Sequence, residues 1–299
     1  MSHAAFHPGE LAAQERAGVA PMRPGIRDLM PEQHRSFFST LPYLLVAASD
    51  CTGWPLATLL EGDPGFIASP DPGTLRIEAL PGATDPAARM IRSGDDVGLL
   101  GIDFATRRRN RANGIVSSVD GNGFTVAVRQ SFGNCPQYIQ RRAITRVEAL
   151  ASEARELASL ESDAISQLER ADTFFVASRS RADAGPGGGA DISHRGGQPG
   201  FVRIEGDTLL IPDFRGNRYF NTLGNLALNP RAGLLFIDFA SGDLLQLTGT
   251  TEIVWDGPEV EAFAGAQRLW RLAPTAGNWL RGAFPLRMTD GEPAPQLSE

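Results

Sequence analysis

The sequence predicts a mostly β protein with some helix, of the α+β class, that contains two copies of one antiparallel barrel. The segment "GDPGFI" at 62–67 matches "GQPGFV" at 197–202, and "GLLGIDF" at 98–104 matches "GLLFIDF" at 233–239, both at a shift of 135 positions. Matches in the same order at one long offset indicate a duplicated domain. Turn signals such as "DPG" and "DGNG" recur at short intervals, which favours an antiparallel barrel over βαβ units.

These patterns divide the chain into five parts. They are an N-terminal extension at 1–29, a first barrel at 30–147, a helical connection at 148–172, a second barrel at 173–290 and a tail at 291–299. Apolar runs with β-branched and aromatic residues, such as "LPYLLVAAS" and "DTFFVAS", predict strands. Helical patterns occur at 30–41, at 216–230 and in the charged stretch at 147–172. Residues 1–25 and the tail are expected to be frayed ends.

The composition is that of a globular protein without a nucleic-acid or membrane partner. Of 299 residues, 42% are hydrophobic and 21% are charged. The net charge is −7, and an overall negative charge does not favour binding to nucleic acid. No run approaches the roughly 20 apolar residues of a membrane helix, and the polar start has no signal-peptide pattern. Cys51 and Cys135 form no metal-ligand spacing. We therefore expect a cytoplasmic protein with no metal site.

The second copy carries a row of polar residues on a strand that the first copy fills with leucine. At the shift of 135 the matched residues are Ser193, His194, Arg195 and Gly196 against Thr58, Leu59, Leu60 and Glu61. A buried polar row costs free energy unless it has partners, so the second copy needs a reason for it. The two glycines at 196–197 are expected to let the backbone approach a ligand closely.

A helix start in the second copy adds further donors. The segment "FRGNRYFNTLGN" places Arg215, Asn217, Arg218, Asn221 and Thr222 around this start, whereas the first copy has only "ALPGATDPAARMIRSGD". Donors at a helix N-terminus together with two arginines form an anion site. Capping of the helix by Asn217 is the simpler alternative. Together with the polar strand, this segment predicts a phosphate clamp.

These motifs resemble the pyridoxamine 5'-phosphate oxidase-like flavin-binding split barrels. The resemblance rests on "SHRGG…PGFV", "GNRYFNTLGNL…NPR", "GLLFIDF…GDLLQLTG" and "QSFGNCPQYIQRR", and it covers nearly all of residues 30–290. It implies two tandem split β-barrels that form an intrachain pseudo-dimer, with FMN at their interface. It also implies that Gln246 lies close to the ring. The FMN clamp that it implies consists of Ser193, Arg195, Asn217, Arg218, Asn221 and Thr222. The helix segment has no lysine to match that of the oxidase proper, which disfavours vitamin B6 as the substrate.

The run "TRRRNRANG" at 106–114 is the strongest local charge feature. A charge run is usually a solvated face, but Arg111 falls on Gln246, on the strand that should face the other copy. Arg109 or Arg111 is therefore expected to reach the flavin or the substrate entrance from across the interface, with the "FGNCPQY" loop closing over the ring. Cys135 is either near the ring or a structural thiol, and His194 is either a packed histidine or a catalytic one.

The expected function is that of an FMN-dependent oxidoreductase that acts on a small-molecule substrate or reductant. One FMN per chain is expected, because the first copy has lost its clamp. The sequence contains no G-x-S-x-G, Walker or H-E-x-x-H pattern, and it assigns no catalytic residue. A non-catalytic protein that binds or senses flavin, deazaflavin or haem is the alternative. The sequence also leaves open whether the protein forms a homodimer.

Overall fold

The computed structural model describes residues 5–148, 153–185, 187–290 and 292–297. Two helices, α1 (Pro8–Arg16) and α2 (Glu32–Ser39), come before the first sheet. The strands of that sheet are β1 (Tyr43–Ser49), β2 (Pro55–Glu61), β3 (Ile67–Ala68), β4 (Thr74–Ile77), β5 (Asp96–Asp103), β6 (Arg108–Asp120) and β7 (Gly123–Gly133). They are antiparallel in the order β2-β1-β5-β6-β7-β4-β3, and a short 3₁₀ turn (Pro86–Arg89) leads into β5.

The connection between the two sheets is only partly helical. Two strands, β8 (Arg142–Arg146) and β9 (Glu153–Leu157), come before helix α3 (Ser162–Arg170). The helix predicted over 147–172 is therefore wrong for 153–157, and residues 149–152 lie outside the described residues. The segment 153–157 becomes a strand because it pairs with the backbone of a long strand of the second sheet, and this tertiary pairing overrides its helix propensity.

The second sheet repeats the strand order of the first. Its strands are β10 (Thr173–Arg179), β11 (Ala190–Gly196), β12 (Arg203–Glu205), β13 (Thr208–Phe214), β14 (Arg231–Ile237), β15 (Leu244–Val254) and β16 (Ala266–Arg281). The order is β11-β10-β14-β15-β16-β13-β12, with β9 on the free half of β16. Helix α4 (Asn221–Leu228) precedes β14, and α5 (Pro258–Glu261) precedes β16. The predicted fold class is confirmed.

The registers of the two sheets also correspond at a shift of 135. Leu100 of β5 lies opposite Arg111 of β6, and Leu235 of β14 lies opposite Gln246 of β15. The same order and register are what a duplication predicts. None of the helices in the described part of the chain has the length and apolar character needed to cross a bilayer.

Both chain ends pack against the barrels, α1 against the second barrel and the tail against the end of the first. Glu10 and Ala13 of α1 are buried, and α1 crosses α4 so closely that a Cβ on Gly9 would lie 2.3 Å from the carbonyl oxygen of Gly224. The expectation of frayed residues 1–25 is therefore wrong for α1. In the tail, the backbone N–H of Ala294 donates to the side chain of Gln140, so its described part is packed as well. Strand β17 (Leu286–Asp290) pairs with β8 just before the tail.

Glycines set the distance between the two barrels. A Cβ on Gly98 of β5 would lie 2.8 Å from the Cα of Asp191 on β11, and one on Gly233 of β14 would lie 2.4 Å from the carbonyl oxygen of Pro55 on β2. Each barrel has its own apolar core, and a third core between them combines residues such as Leu100 with residues of the second barrel. The barrels therefore meet backbone to backbone at two reciprocal crossings.

We predict that Gly98→Ala and Gly233→Ala each lower the free energy of unfolding by about 1–3 kcal/mol, because the added methyl meets backbone that cannot move independently. Gly121→Ala is the control, since a Cβ at that exposed turn meets nothing within 4 Å. Urea denaturation of the three variants checks this. Equal stability of Gly98→Ala and Gly121→Ala would contradict a backbone contact at the crossing.

Candidate functional site

A pocket of about 850 Å³, open to solvent, lies between the two barrels. One wall is β11 and the start of α4 from the second barrel, and the opposite wall is β6 and the loop after β7 from the first. The pocket is lined by ten of the eleven predicted site residues, which are Arg109, Arg111, Ser193, His194, Arg195, Gly196, Asn217, Arg218, Asn221 and Thr222.

The remaining predicted residue, Gln246, does not line this pocket. Its side chain is fully buried and donates to the carbonyl oxygen of Ala57 at 3.2 Å and to the carboxylate of Asp85 at 3.1 Å, both in the first barrel. Each barrel sends the side chain at this strand position into the other barrel. Arg111 of the first barrel therefore reaches the pocket, and Gln246 of the second reaches the equivalent place in the first.

Arg111 is the centre of a buried polar network on the pocket wall. Its guanidinium is 2.9 Å from the carboxylate of Asp191, and it donates to the side chains of Ser193 at 2.8 Å and Asn221 at 3.0 Å. The hydroxyl of Thr222 also donates to that of Ser193, at 3.0 Å. Burial lowers the pKa of Arg111, and the charge of Asp191 opposes this shift. The network fixes the side chains of both barrels to each other.

Arg109 is a partly buried cation without a carboxylate partner among the described residues. It donates to Nδ1 of His194 at 2.8 Å, and its Nε has no hydrogen-bond partner within the described ranges. Burial, reinforced by the charge of Arg111, lowers the pKa of Arg109 to about 9, so it stays protonated at neutral pH. A partly buried charge of this kind is costly unless an anion or water meets it.

His194 is packed and neutral. Its ring meets Phe104 and Phe175 edge-on, and burial, followed by the charge of Arg109, holds its pKa well below the usual range. Because an arginine can only donate, Nδ1 accepts the bond and Nε2 carries the hydrogen. That Nε2 has no hydrogen-bond partner among the described residues. His194 is therefore a packed histidine with one unused donor close to the pocket.

Arg195 is held on the second-barrel side by an acid. Asp213 accepts from Arg195 at 2.5 Å and from Arg268 at 2.7 Å, so two cations share one carboxylate. The sequence reasoning did not identify Arg268. It lies opposite Asp213 in the β13–β16 register, and such a cross-strand pair cannot be recognised until the register is known.

The start of α4 has an unusual backbone. Arg218 and Phe220 have φ values of 62° and 61°, in the left-handed region, and no side chain caps the helix. Each such residue costs about 1–3 kcal/mol, and strain of this kind concentrates at ligand sites. The exposed side chain of Arg218 lines the pocket and has no ion-pair or hydrogen-bond partner within the described ranges. Arg215 is also exposed but does not line the pocket.

The loop after β7 forms the remaining wall. Asn134, Gln137 and Tyr138 line the pocket, as expected for the "FGNCPQY" loop, and the Tyr138 ring stacks on Phe214 at 5.3 Å. A Cβ at Gly196 would lie 2.2 Å from the carbonyl oxygen of Tyr138. Gly196 therefore lets this loop pack against β11, and because Gly196 also lines the pocket, the close approach of a ligand to its backbone stays a prediction.

The N-terminal helix supports the pocket from behind. The carboxyl of Glu10 accepts from the side chain of Asn221 at 2.5 Å and from the backbone N–H of His7 at 2.9 Å. Burial raises the pKa of Glu10 from 4.5 to about 8. Glu10 is therefore largely protonated at neutral pH and fixes the first residue of α4.

The comparisons with known proteins agree with this fold. Residues 160–280, which span α3 and most of the second barrel, match the family model of pyridoxamine 5'-phosphate oxidase. This part of the chain is therefore similar to the pyridoxamine 5'-phosphate oxidase family. The first barrel lies outside the match. No curated protein matches the sequence.

Three of the solved structures that are similar to this chain each match less than half of it. HupZ of Group A Streptococcus has 13% identity and a TM-score of 0.30, over 45% of this chain and 98% of its own. HutZ, the haem storage protein of Vibrio cholerae, has 17% identity and a TM-score of 0.28, over 41% and 95%. A Clostridium acetobutylicum protein related to general stress protein 26 has 17% identity and a TM-score of 0.29, over 43% and 92%. Likenesses at this level carry no argument about the ligand.

We predict that Glu10→Gln stabilises the protein increasingly as the pH rises. The pKa of about 8 in the folded state lies above the ordinary 4.5, so the native state holds a proton that the unfolded chain releases between these values. The stability that protonated Glu10 contributes is complete below pH 4.5 and is lost as the pH rises to about 8. Glutamine stays neutral and does not lose it.

Urea denaturation at several pH values between 4.5 and 9 measures this effect. Glu15→Gln is the control, because Glu15 is exposed on the same helix. A stability difference between Glu10→Gln and the wild type that does not change with pH would contradict the prediction.

Proposed function

We propose that the chain is a flavoprotein that binds FMN in the pocket between its barrels and uses it to oxidise or reduce a small molecule. One observation carries the proposal. The pocket is lined by five arginines and one carboxylate, Asp213, and the buried Nε atoms of Arg109, Arg111 and Arg195 have no hydrogen-bond partner in the part of the chain that the structure describes. An anionic ligand satisfies such a site, and the net charge of the whole chain is −7, so the cationic pocket is a local feature.

The donors on the second-barrel wall suit a phosphate. Ser193 and Thr222 offer hydroxyl groups, Arg218 offers a free guanidinium, and the first turn of α4 offers backbone N–H groups. Helix N-termini and arginine side chains both bind phosphate well. The chain contains no lysine, so each cation here is a guanidinium, which can bind two phosphate oxygens at once.

The donors on the first-barrel wall suit the ring of a flavin. Arg109, with the loop residues Gln137 and Tyr138, lines the part of the pocket next to His194. FMN supplies electron transfer when bound, and a fixed cation close to it tunes its electronics. The partly buried Arg109 provides such a charge, which favours electron uptake. The substrate or the reductant enters through the open side of the pocket.

Binding without turnover is the second candidate, and one observation favours it. Among the described lining residues, the single carboxylate, Asp213, is held by two arginines, and the single imidazole, His194, is neutral and buried. Neither group is free to exchange a proton with a substrate. Anaerobic addition of NADH or NADPH separates the candidates, because bleaching of the bound flavin supports oxidoreduction. The visible spectrum of the purified protein separates flavin from haem and deazaflavin.

We predict that Arg218→Ala weakens FMN binding about 10- to 100-fold, the loss expected for one charge-assisted contact to phosphate. Its affinity for riboflavin should stay nearly unchanged, since riboflavin lacks the phosphate. Arg129→Ala is the matched control, because Arg129 is an exposed arginine away from the pocket. Fluorescence titration measures both affinities. Equal loss of FMN and riboflavin affinity in Arg218→Ala would exclude a phosphate contact at this residue.

A further inference from the structure

The first barrel has a buried carboxylate in the place that corresponds to the pocket. Asp85 is 7% exposed and accepts hydrogen bonds from the hydroxyl of Thr58, from the side chain of Gln246 at 3.1 Å and from the backbone N–H of Ala87 at 2.9 Å. We call Thr58, Asp85 and Gln246 the closed site. Two of its donors come from the first barrel and one from the second.

Each donor of the closed site has a counterpart in the pocket. Thr58 corresponds to Ser193, since each lies opposite a valine in the β1–β2 or β10–β11 pair. Gln246 corresponds to Arg111 in the strand register described above. The 3₁₀ turn that begins at 86 corresponds to α4, which begins at 221, so the backbone N–H of Ala87 corresponds to that of Thr222.

The acceptor of the closed site has no counterpart in the pocket. The position of Asp85 is taken by Phe220, whose ring lies under the guanidinium of Arg268 at 4.9 Å. The pocket therefore keeps the three donors but has no carboxylate at the position of Asp85. Ser193 and Arg111 also meet a different carboxylate, that of Asp191, at 3.3 Å and 2.9 Å. The pattern marks a specific point, close to the Ser193 hydroxyl, where an acceptor from outside the chain would fit.

We propose that the carboxylate of Asp85 occupies, in the first barrel, the place that the anionic group of the ligand takes in the pocket. This inference rests on the proposed function and deepens it. It places the FMN phosphate against the Ser193 hydroxyl, the Thr222 backbone N–H and Arg111. Arg111 then contacts the phosphate directly from the opposite barrel, and Asp85 closes the first barrel to a second ligand.

The charges of the two sites agree with this assignment. The closed site joins a neutral amide, that of Gln246, to the carboxyl group of Asp85. Burial raises the pKa of Asp85, which disfavours its charged form. The pocket replaces that amide with Arg111, a cation, which suits the larger charge of a phosphate. A local capping role of Asp85 would explain its bond to Ala87 but not the side chain that arrives from the other barrel.

Chemical rescue tests the inference without FMN. Asp85→Ala leaves the hydroxyl of Thr58 and the amide of Gln246 buried without their acceptor, so its melting temperature should fall. Formate, a small carboxylate, should restore it in a saturable way, while chloride at equal ionic strength should not. The wild type and Asp85→Asn, which keeps an acceptor oxygen, should show no such response. Formate and chloride with the same effect on Asp85→Ala would overturn the proposal.

A matched pair of variants tests the same inference when Asp85→Ala does not fold. Ser193→Ala and Thr58→Ala each remove one hydroxyl at corresponding positions. Ser193→Ala should weaken FMN binding about 5- to 10-fold, whereas Thr58→Ala should lower stability and leave FMN affinity unchanged. An equal loss of FMN affinity in both variants would overturn the assignment of Asp85. Formate rescue of Asp85→Ala in a protein that binds no FMN would reject the proposed function alone.

Discussion

The backbone contacts at Gly98 and Gly233 determine the rest of this structure. Only a glycine lets β5 cross β11, and β14 cross β2, without a side chain between them. At this separation a side chain on β6 or β15 is long enough to end inside the opposite barrel. The pocket therefore belongs to neither barrel alone, and its cations come from both.

The two barrels use one geometry for two different purposes. Arg111 and Gln246 reach across the interface from corresponding positions, yet Arg111 ends in an open pocket and Gln246 ends on Asp85. In the first barrel Thr58 and Gln246 both donate to Asp85, and leucines at 59 and 60 fill the space next to them. In the second, buried arginines remain with unused donors. The asymmetry of the sequence thus corresponds to an asymmetry between a packed core in the first barrel and an open pocket, for which we propose a ligand, at the second.

The sequence predicted most of the site because its two copies can be compared. His194, Arg195 and the helix start stood out against leucines and a plain turn at the same positions, and the structure brings them together. Gln246 was assigned to the ring side by resemblance, but it reaches the opposite barrel. The strand comparison placed it correctly on the interface and could not show which way each side chain crosses.

Other features needed tertiary information that no single segment contains. The pairing of 153–157 depends on a free stretch of β16, and the ordered N-terminal helix depends on a close approach of Gly9 to α4. Arg268 meets Asp213 only through the strand register. Each of these depends on a partner more than 50 residues away, which local periodicity does not reveal.

The affinity of the full-length protein for FMN relative to riboflavin tests the central claim most directly. The two ligands share the ring and differ in the phosphate, so their ratio isolates the contribution of the phosphate contacts. Calorimetric titration of the two flavins should show FMN binding at least about 10-fold more tightly, with about one equivalent per chain. Equal affinities, or two equivalents of FMN, would contradict a single phosphate site between the barrels.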